Sequence, residues 1–378
     1  MITKRSGNRN LYDSSRNKQD EFYTNLQLIE DELKHYRHHF KGKRVLCNCD
    51  DPYESNFFKY FAMSFNSLGL KSLTATCYAT SPVVYTQLDL FGGRTSTGGT
   101  ATGGTAVSAV QNGRDARSLS GRSRQPYKIV INEVTDVNGD GRVDLADVEW
   151  LIKNRKNVLT KLKGDGDFRS PECVALLDEA DIVVTNPPFS LFREYMALLM
   201  EYGKQFLIVG NMNAVTYREI FPLIRDNKVW LGNKAGHFWF KVPNNYEEKA
   251  TDFKIDENGQ KWRRMGNICW FTNLDIEKRH EEMTLFRHYT PEEYPKYDNY
   301  DAIEVAKTDD IPKDWDGIIG VPITFIYKHV PDQFEIIGAT ESEGKGFSNG
   351  LWNEQSGVAQ PLIGGKRIYK RIFIRRKR

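Results

Sequence analysis

Apolar residues recur along this chain in two periods, and the alternation between them sets out an α/β protein. Over residues 19–45 Phe22, Leu26, Ile29, Leu33 and Tyr36 return every three or four positions, which predicts one buried helical face. Lys43–Cys49 is a short apolar run that predicts a buried strand. Asp50-Asp51-Pro52 then has the form of a helix start, with Asp51 as N-cap and Pro52 in the first turn of a helix over 53–67. Gly69 ends that helix, and Leu73–Tyr78 predicts the next strand. A strand–helix–strand unit of this kind seeds a parallel sheet.

The pattern breaks at Gly92–Ala106, a Gly/Thr-rich stretch that has too few apolar residues to pack, and resumes at Tyr127–Ile131. Beyond Gly164 a helix is expected over 171–179, a strand over 181–185, a helix over 190–202, a strand over 205–209 and a helix over 215–225. His237–Val242 alternates, Asn258-Gly259 is a hairpin signal between strand-like runs, and Ile268–Thr272 is a further strand. From about residue 275 the sequence is irregular until Phe334–Ile337 and the basic strand 368–375. We expect a core from residues 1–80 and 164–275, an insertion over 81–163 and a mixed α+β region over 276–378.

Composition narrows the classes. The 378 residues carry 53 Lys/Arg against 50 Asp/Glu, a net +3 that decides little. Position decides more, because Lys366–Arg378 holds eight basic residues and no acid. Such a cluster suits a polyanion, or is a solvated tail that aids solubility. No stretch approaches the roughly 18 apolar residues of a membrane span, and the first fifteen residues lack the apolar core of a secretion signal. Five cysteines without zinc spacing fit a reducing cytoplasmic home. His35, His38 and His39 share a helix end and read as a solvated turn.

Two motifs carry chemistry. Asn186-Pro187-Pro188-Phe189 follows the apolar strand 181–185 directly, and strand ends are where open α/β sheets bind ligands. The proline pair cannot extend a ladder and turns the chain outward. Asn186 offers an amide oxygen, the Pro187 region a backbone carbonyl, and Phe189 a flat face. Together these could hold an exocyclic amine on a planar ring; the alternative is a structural turn. The second motif runs Asp136, Asn138, Asp140, Arg142, Asp144, Asp147, with Gly141 at the sixth position. That spacing fits a calcium loop of the EF-hand or dockerin type, Arg142 giving its carbonyl. The alternative is an Asp-rich turn.

The tetrad, together with Asp20–Thr24, VLCNCDDP, GDGDFRSPEC, FLIVGN, GNICWFTNLD and GVPITF, resembles the EcoRI-type adenine-specific DNA methyltransferases. The resemblance implies a Rossmann-like core that uses S-adenosylmethionine to methylate adenine N6 in double-stranded DNA, alone or beside a cognate restriction endonuclease. It implies catalysis at Asn186, Pro187, Pro188 and Phe189, with Phe189 stacking on a flipped adenine. It further implies cofactor contacts from Phe22, Tyr23, Thr24, Asp50, Asp51, Asp167 and Phe168, with residues 276–378 helping to recognise DNA. Asn48–Pro52 stands where such enzymes usually carry a glycine-rich loop, and Asp50 and Asp51 could equally serve only as helix caps. Trp270 and Phe271 could pack the core or line the flipped-base pocket. Methylation of RNA or protein amides, and calcium-dependent nucleic-acid binding without catalysis, are the alternative functions.

Overall fold

The apolar runs pair into one large sheet. The computed structural model describes residues 23–50, 55–77, 126–154, 159–242, 246–340, 350–351, 353 and 359–377. Phe22, Asp51 and Gly92–Ala106 lie outside them. The strands of the first half are β1 (Tyr23–Thr24), β2 (Arg44–Cys47), β3 (Ser72–Thr76), β4 (Tyr127–Ile131), β5 (Leu159–Lys161), β6 (Ile182–Thr185) and β7 (Gln205–Asn211). Then come β8 (Trp230–Lys241), β9 (Phe253–Ile255) and β10 (Lys261–Thr272). Their order is β1-β8-β10-β7-β6-β2-β3-β4-β5, with β9 on the free side of β10's first half. β3, β2, β6 and β7 are parallel neighbours, while β10 and β4 run antiparallel on either side. β4 and β5 fall within the stretch 81–163, so part of that stretch is built into the main sheet.

Seven helices cover the sheet among the described residues: α1 (Leu26–Leu33), α2 (Asn56–Met63), α3 (Phe65–Leu68), α4 (Leu145–Asn154), α5 (Pro171–Glu179), α6 (Phe192–Glu201) and α7 (Phe221–Arg225). Two buried clusters divide its faces. Val45, Ile182, Val184, Leu207 and Val209 belong to the cluster that contains α1 and α2. Leu46, Val183, Phe206 and Ile208 belong to the one that contains α5 and α6. This alternation in strands buried on both sides explains why their sequences read as unbroken apolar runs.

Local chemistry fixes the ends. Asn25 caps α1, Ser55 caps α2, Ser170 caps α5, and Gly69 ends α3 in the left-handed region at φ 63°. Within the described part of the expected helix 53–67 there are two pieces, α2 and α3, and Ser55 receives the first free amides of α2. The helix expected over 215–225 contracts to α7. Residues 212–216 form a 3₁₀ turn instead, and Pro222 sits in the first turn of α7, where its missing N–H costs nothing.

The C-terminal region adds β11 (Ile303–Glu304), β12 (Ile319–Pro322), β13 (Phe334–Ala339), β14 (Leu362–Ile363), β15 (Lys366–Arg367) and β16 (Arg371–Arg376). β11-β12-β16-β13 form a second sheet, whose Ile319, Val321, Phe334, Ile372 and Ile374 join the α5/α6 cluster. The basic segment is thus a strand with partners, not a tail. Arg371 is buried and gives its guanidinium to Glu304, Arg375 pairs with Glu335, and Arg376 lies 3.6 Å from Asp316. No described helix is long and apolar enough to cross a membrane.

Candidate active site

The chain passes from β2 to β3 on one side, then returns to β6 on the other side of β2. In open α/β sheets ligands bind where strand order reverses in this way, here at the carboxyl ends of β2 and β6. Both exits carry polar residues, at the ends of strands buried throughout (β6) or at all but the first residue (β2). β6 ends at Thr185, where its ladder with β7 stops. Asn186 is half-buried, Pro187 buried, and Pro188 extended at φ −55°, ψ 123°. The prolines supply no amide to either neighbour, so the chain leaves the sheet here. Phe189 opens a 3₁₀ turn that leads into α6, and it packs half-exposed against the α1/α2 cluster.

The β2 exit meets it side by side. Asp50 is 7% exposed and accepts hydrogen bonds from the Ser55 hydroxyl (2.8 Å) and from the Thr185 hydroxyl. One carboxylate thereby ties the cap of α2 to the last residue before Asn186. Asp50 serves as a bracket in this geometry, with its oxygens turned to the protein. Asn48 is 1% exposed; its carbonyl accepts from Thr76 of β3 (3.0 Å) and its side-chain oxygen accepts from the Tyr195 hydroxyl of α6. Among the described residues its amide nitrogen has no partner, nor has the hydroxyl of Thr24, which is 3% exposed. Thr24 belongs to the same corner, since the Asn56 side chain at the start of α2 donates to its carbonyl (2.7 Å). Tyr23 precedes it in β1, opposite Lys241.

The GDGDF segment closes the β3 exit. Gly166 has φ 79°, and a side chain there would come within 2.3 Å of the Cys77 carbonyl, so only glycine fits. The acidic–aromatic pair that follows is split. The Arg169 guanidinium grips Asp167 at 2.9 and 2.7 Å and holds its carboxyl below the usual range. Phe168 is fully buried, edge-to-face with Tyr195 at 4.9 Å between centroids. It therefore supports the Tyr195–Asn48 contact from beneath. Asn48, Ser55, Thr185 and Tyr195 escaped the sequence reading. The one available signal was a lone Asn interrupting the apolar run before Cys49.

The other expected sites resolve differently. Trp270 and Phe271 are fully buried and serve as core, not as walls of a pocket. Gly210 is what lets the Phe192 and Phe271 rings close over β7. The Asp-rich loop folds onto its own backbone. Asp136 accepts from the amides of Gly139 and Gly141 (both 2.7 Å), Asp140 from Arg142 (2.9 Å), and Asp144 from Ala146 (2.7 Å). Asp147 accepts from Val137 (2.8 Å) and Asp144 (2.9 Å), and these amides hold its carboxyl below the usual range. Asn138 takes the Asp140 amide (3.0 Å) and donates to its carboxylate. The expected metal ligands Asp136, Asn138, Asp140, Arg142, Asp144 and Asp147 thus lie in one hydrogen-bonded loop. No group of three or more His, Cys, Asp or Glu among the described residues converges to hold a metal.

Comparison with known proteins matches the chain to a family model described as adenine-specific methyltransferase EcoRI, over residues 10–377. The chain belongs to that family. Among its relatives are the type II methyltransferase M.EcoRI of Escherichia coli, 41% identical over all of this chain and 99% of the relative, and M.MpnI of Mycoplasma pneumoniae, 34% identical over 95% and 96%. M.MgeORF184P of Mycoplasma genitalium is 32% identical over 95% and 96%. No solved structure matches. The EcoRI methyltransferase match runs through both sheets, so the C-terminal region is part of the family unit.

Proposed function

We propose that the crevice between the β2 and β6 exits is where this enzyme brings a flipped adenine to its methyl donor. As a family member the chain is a site-specific DNA adenine methyltransferase. The observation that carries the site assignment is the bracket Ser55–Asp50–Thr185, which locks the turn bearing Asn186 against the neighbouring strand exit at the crossover point.

The residues present fit S-adenosylmethionine. The unpartnered amide of Asn48 and hydroxyl of Thr24 are buried polar atoms of the kind a polar ligand satisfies. Asn48, Thr24 and the Tyr23 segment would hold it on the β2 side, and it supplies an electrophilic methyl group. Asn186 and the Pro187 carbonyl would accept the two N–H groups of the adenine amine. That drives the nitrogen toward a tetrahedral form and frees a lone pair otherwise delocalised into the ring. Phe189 would stack on the extruded base, worth roughly 1–3 kcal/mol. The two proline rings fix both acceptors in advance, so catalysis is chiefly positioning and fixed dipoles. The proton can leave after transfer, and no strong base is needed. Asp50, Asp167 and Phe168 act as positioning residues, Asp50 through Thr185 and Phe168 through Tyr195.

In this reading residues 1–80 and 164–275 form a Rossmann-like catalytic unit and 276–378 assist with DNA. A cognate restriction endonuclease is a natural partner, given the type II relatives, and a cytoplasmic setting suits a DNA substrate. Calcium at residues 136–147 is a separate proposal, supported by the donor spacing and by left-handed Gly139 and Gly141 at its fourth and sixth positions. Binding there would share the Asp136 and Asp147 carboxylates with the amides they already accept from, so weak affinity is expected. The function is tested by incubating the enzyme with methyl-labelled S-adenosylmethionine and mixed-sequence duplex DNA. Label should appear as N6-methyladenine at one sequence context; label in cytosine, or in RNA or protein only, would refute the reading.

A further inference from the structure

The sheet edge that carries Asn186 does not stop at the strand exits. β10 runs antiparallel to β7, so Lys261–Asn267 continues past Asn211, where β7 ends. β8 accompanies it as far as Lys241, and β9 adds a third strand. At roughly 3.3 Å per residue this ribbon projects about 20 Å beyond the edge, and its root stands two strands, about 10 Å, from β6. Its departure is built in. The register shifts between Met265 and Ile268, with Asn267 at φ 58° and Gly236 at φ 137°. A second shift lies between Cys269 and Phe271. There the buried Glu32 of α1 accepts the Asn233 and Lys234 amides at 2.6 and 2.7 Å. Gly232 leaves room for that carboxylate, which a side chain would meet at 2.3 Å.

The ribbon has two unlike faces. Phe238, Phe240 and Val242 are buried against the α1/α2 cluster. The opposite face carries His237, Trp239 and Lys241 of β8, Lys254 of β9, and Trp262 and Arg264 of β10. Register sets Trp239 against Arg264, and Trp262 against both Lys241 and Lys254. The Lys254 ammonium lies 4.7 Å from the Trp239 ring centre and 5.8 Å from that of Trp262, and it has no ion-pair partner among the described residues. Two acids sit at the margin: Asp252 lies 3.6 Å from Arg264, and Asp256 accepts from the Trp262 indole at 2.9 Å. Lys254, Arg264 and His237 are exposed, and both indoles are half-exposed. Flat rings and cations layered on a projecting ribbon have the chemistry of a nucleic-acid surface.

We propose that this face of the ribbon grips duplex DNA beside the target adenine. Lys254 and Arg264 contact phosphates, and Trp239 and Trp262 lie against the groove. The proposal rests on the reading of duplex DNA as substrate, and it places the principal DNA contact on residues 237–264 rather than on the basic C-terminal strand. Arg371 of that strand is buried in its pair with Glu304 and Arg375 pairs with Glu335, whereas Arg264 is exposed and, like Arg376, only 3.6 Å from an acid.

The test measures binding of a mixed-sequence duplex by the full-length wild type and by the double variant Lys254→Ala/Arg264→Ala across a salt series. The variant should bind roughly tenfold or more weakly at about 0.1 M salt. Its slope of log K against log salt should fall by about 2, because each phosphate contact contributes about 0.9. The charge-retaining Lys254→Arg/Arg264→Lys should restore most of the slope. Should the alanine variant melt early, amide hydrogen exchange on the wild type decides instead, with DNA slowing exchange over 253–264. A wild-type slope in a well-folded variant, or unchanged exchange on DNA binding, overturns the proposal while leaving the methyltransferase reading intact. A wild type that fails to methylate adenine in DNA removes both.

Discussion

Residues 186–189 and 136–147 are both dense, recognisable runs of polar chemistry, yet the fold treats them in opposite ways. The tetrad contributes a single amide side chain and gains its setting from elsewhere. Thr185 reaches Asp50 on the adjacent strand, Asp50 reaches Ser55 on α2, and Tyr195 reaches Asn48. The Asp-rich loop contributes four carboxylates and turns them onto its own amides. Donors spaced close in sequence can satisfy one another locally. Donors brought together by strand order are left facing a crevice. A site is therefore better identified by what the topology delivers to it than by the number of reactive groups in a motif.

That contrast can be strained at several points. Short of the reacting group itself, Asp50→Ala should cost most. It strips the acceptor from two buried hydroxyls, Thr185 and Ser55, and should lower stability by roughly 2–4 kcal/mol. Differential scanning calorimetry would show this as a reduced Tm. A Tm like that of the wild type would mean the two strand exits are not bracketed as described. Tyr195→Phe should be milder. It leaves the Asn48 side-chain oxygen without its donor at a cost of about 1 kcal/mol, read as roughly fivefold weaker S-adenosylmethionine binding with little change in DNA affinity. Equal loss of both affinities would argue for a general packing defect.

The smallest effects belong to the Asp-rich loop. Amides from Asp144 and Val137 depress the Asp147 pKa. Its stabilising contribution is therefore complete above the ordinary carboxylate value near 4, and it is lost as pH falls through the lower folded value. The Tm gap between wild type and Asp147→Asn should stay constant from pH 8 to about 5 and close below about 4. A gap that widens on acidification would reverse the assignment. Millimolar calcium should raise Tm only slightly, and chelators should leave methyl transfer unchanged. Loss of methylation on chelation would tie the loop to the active site.

The fold was legible where period and burial coincide. β6, β7 and α5 fall where the strands 181–185 and 205–209 and the helix 171–179 were expected, because each is decided by neighbours within a few residues. What escaped depends on distant partners. Arg371 reads as a free cation until Glu304, 67 positions away, is seen to neutralise it. Asn48 reads as a blemish in a strand until Tyr195 approaches from α6. Asp167 and Phe168 read as one unit, but Arg169 draws one outward and Tyr195 draws the other into the core. The turn at the tetrad was legible because a proline pair after a buried strand cannot extend the ladder.

The account turns on Asn186. Single-turnover methylation of duplex DNA by Asn186→Ala, beside wild type and with S-adenosylmethionine affinity measured in parallel, tests it most directly. Removal of one preorganised acceptor should slow transfer about 100- to 1000-fold, a loss of roughly 3–4 kcal/mol, while S-adenosylmethionine affinity stays within about twofold. A folded variant that forms N6-methyladenine at the wild-type rate would contradict it.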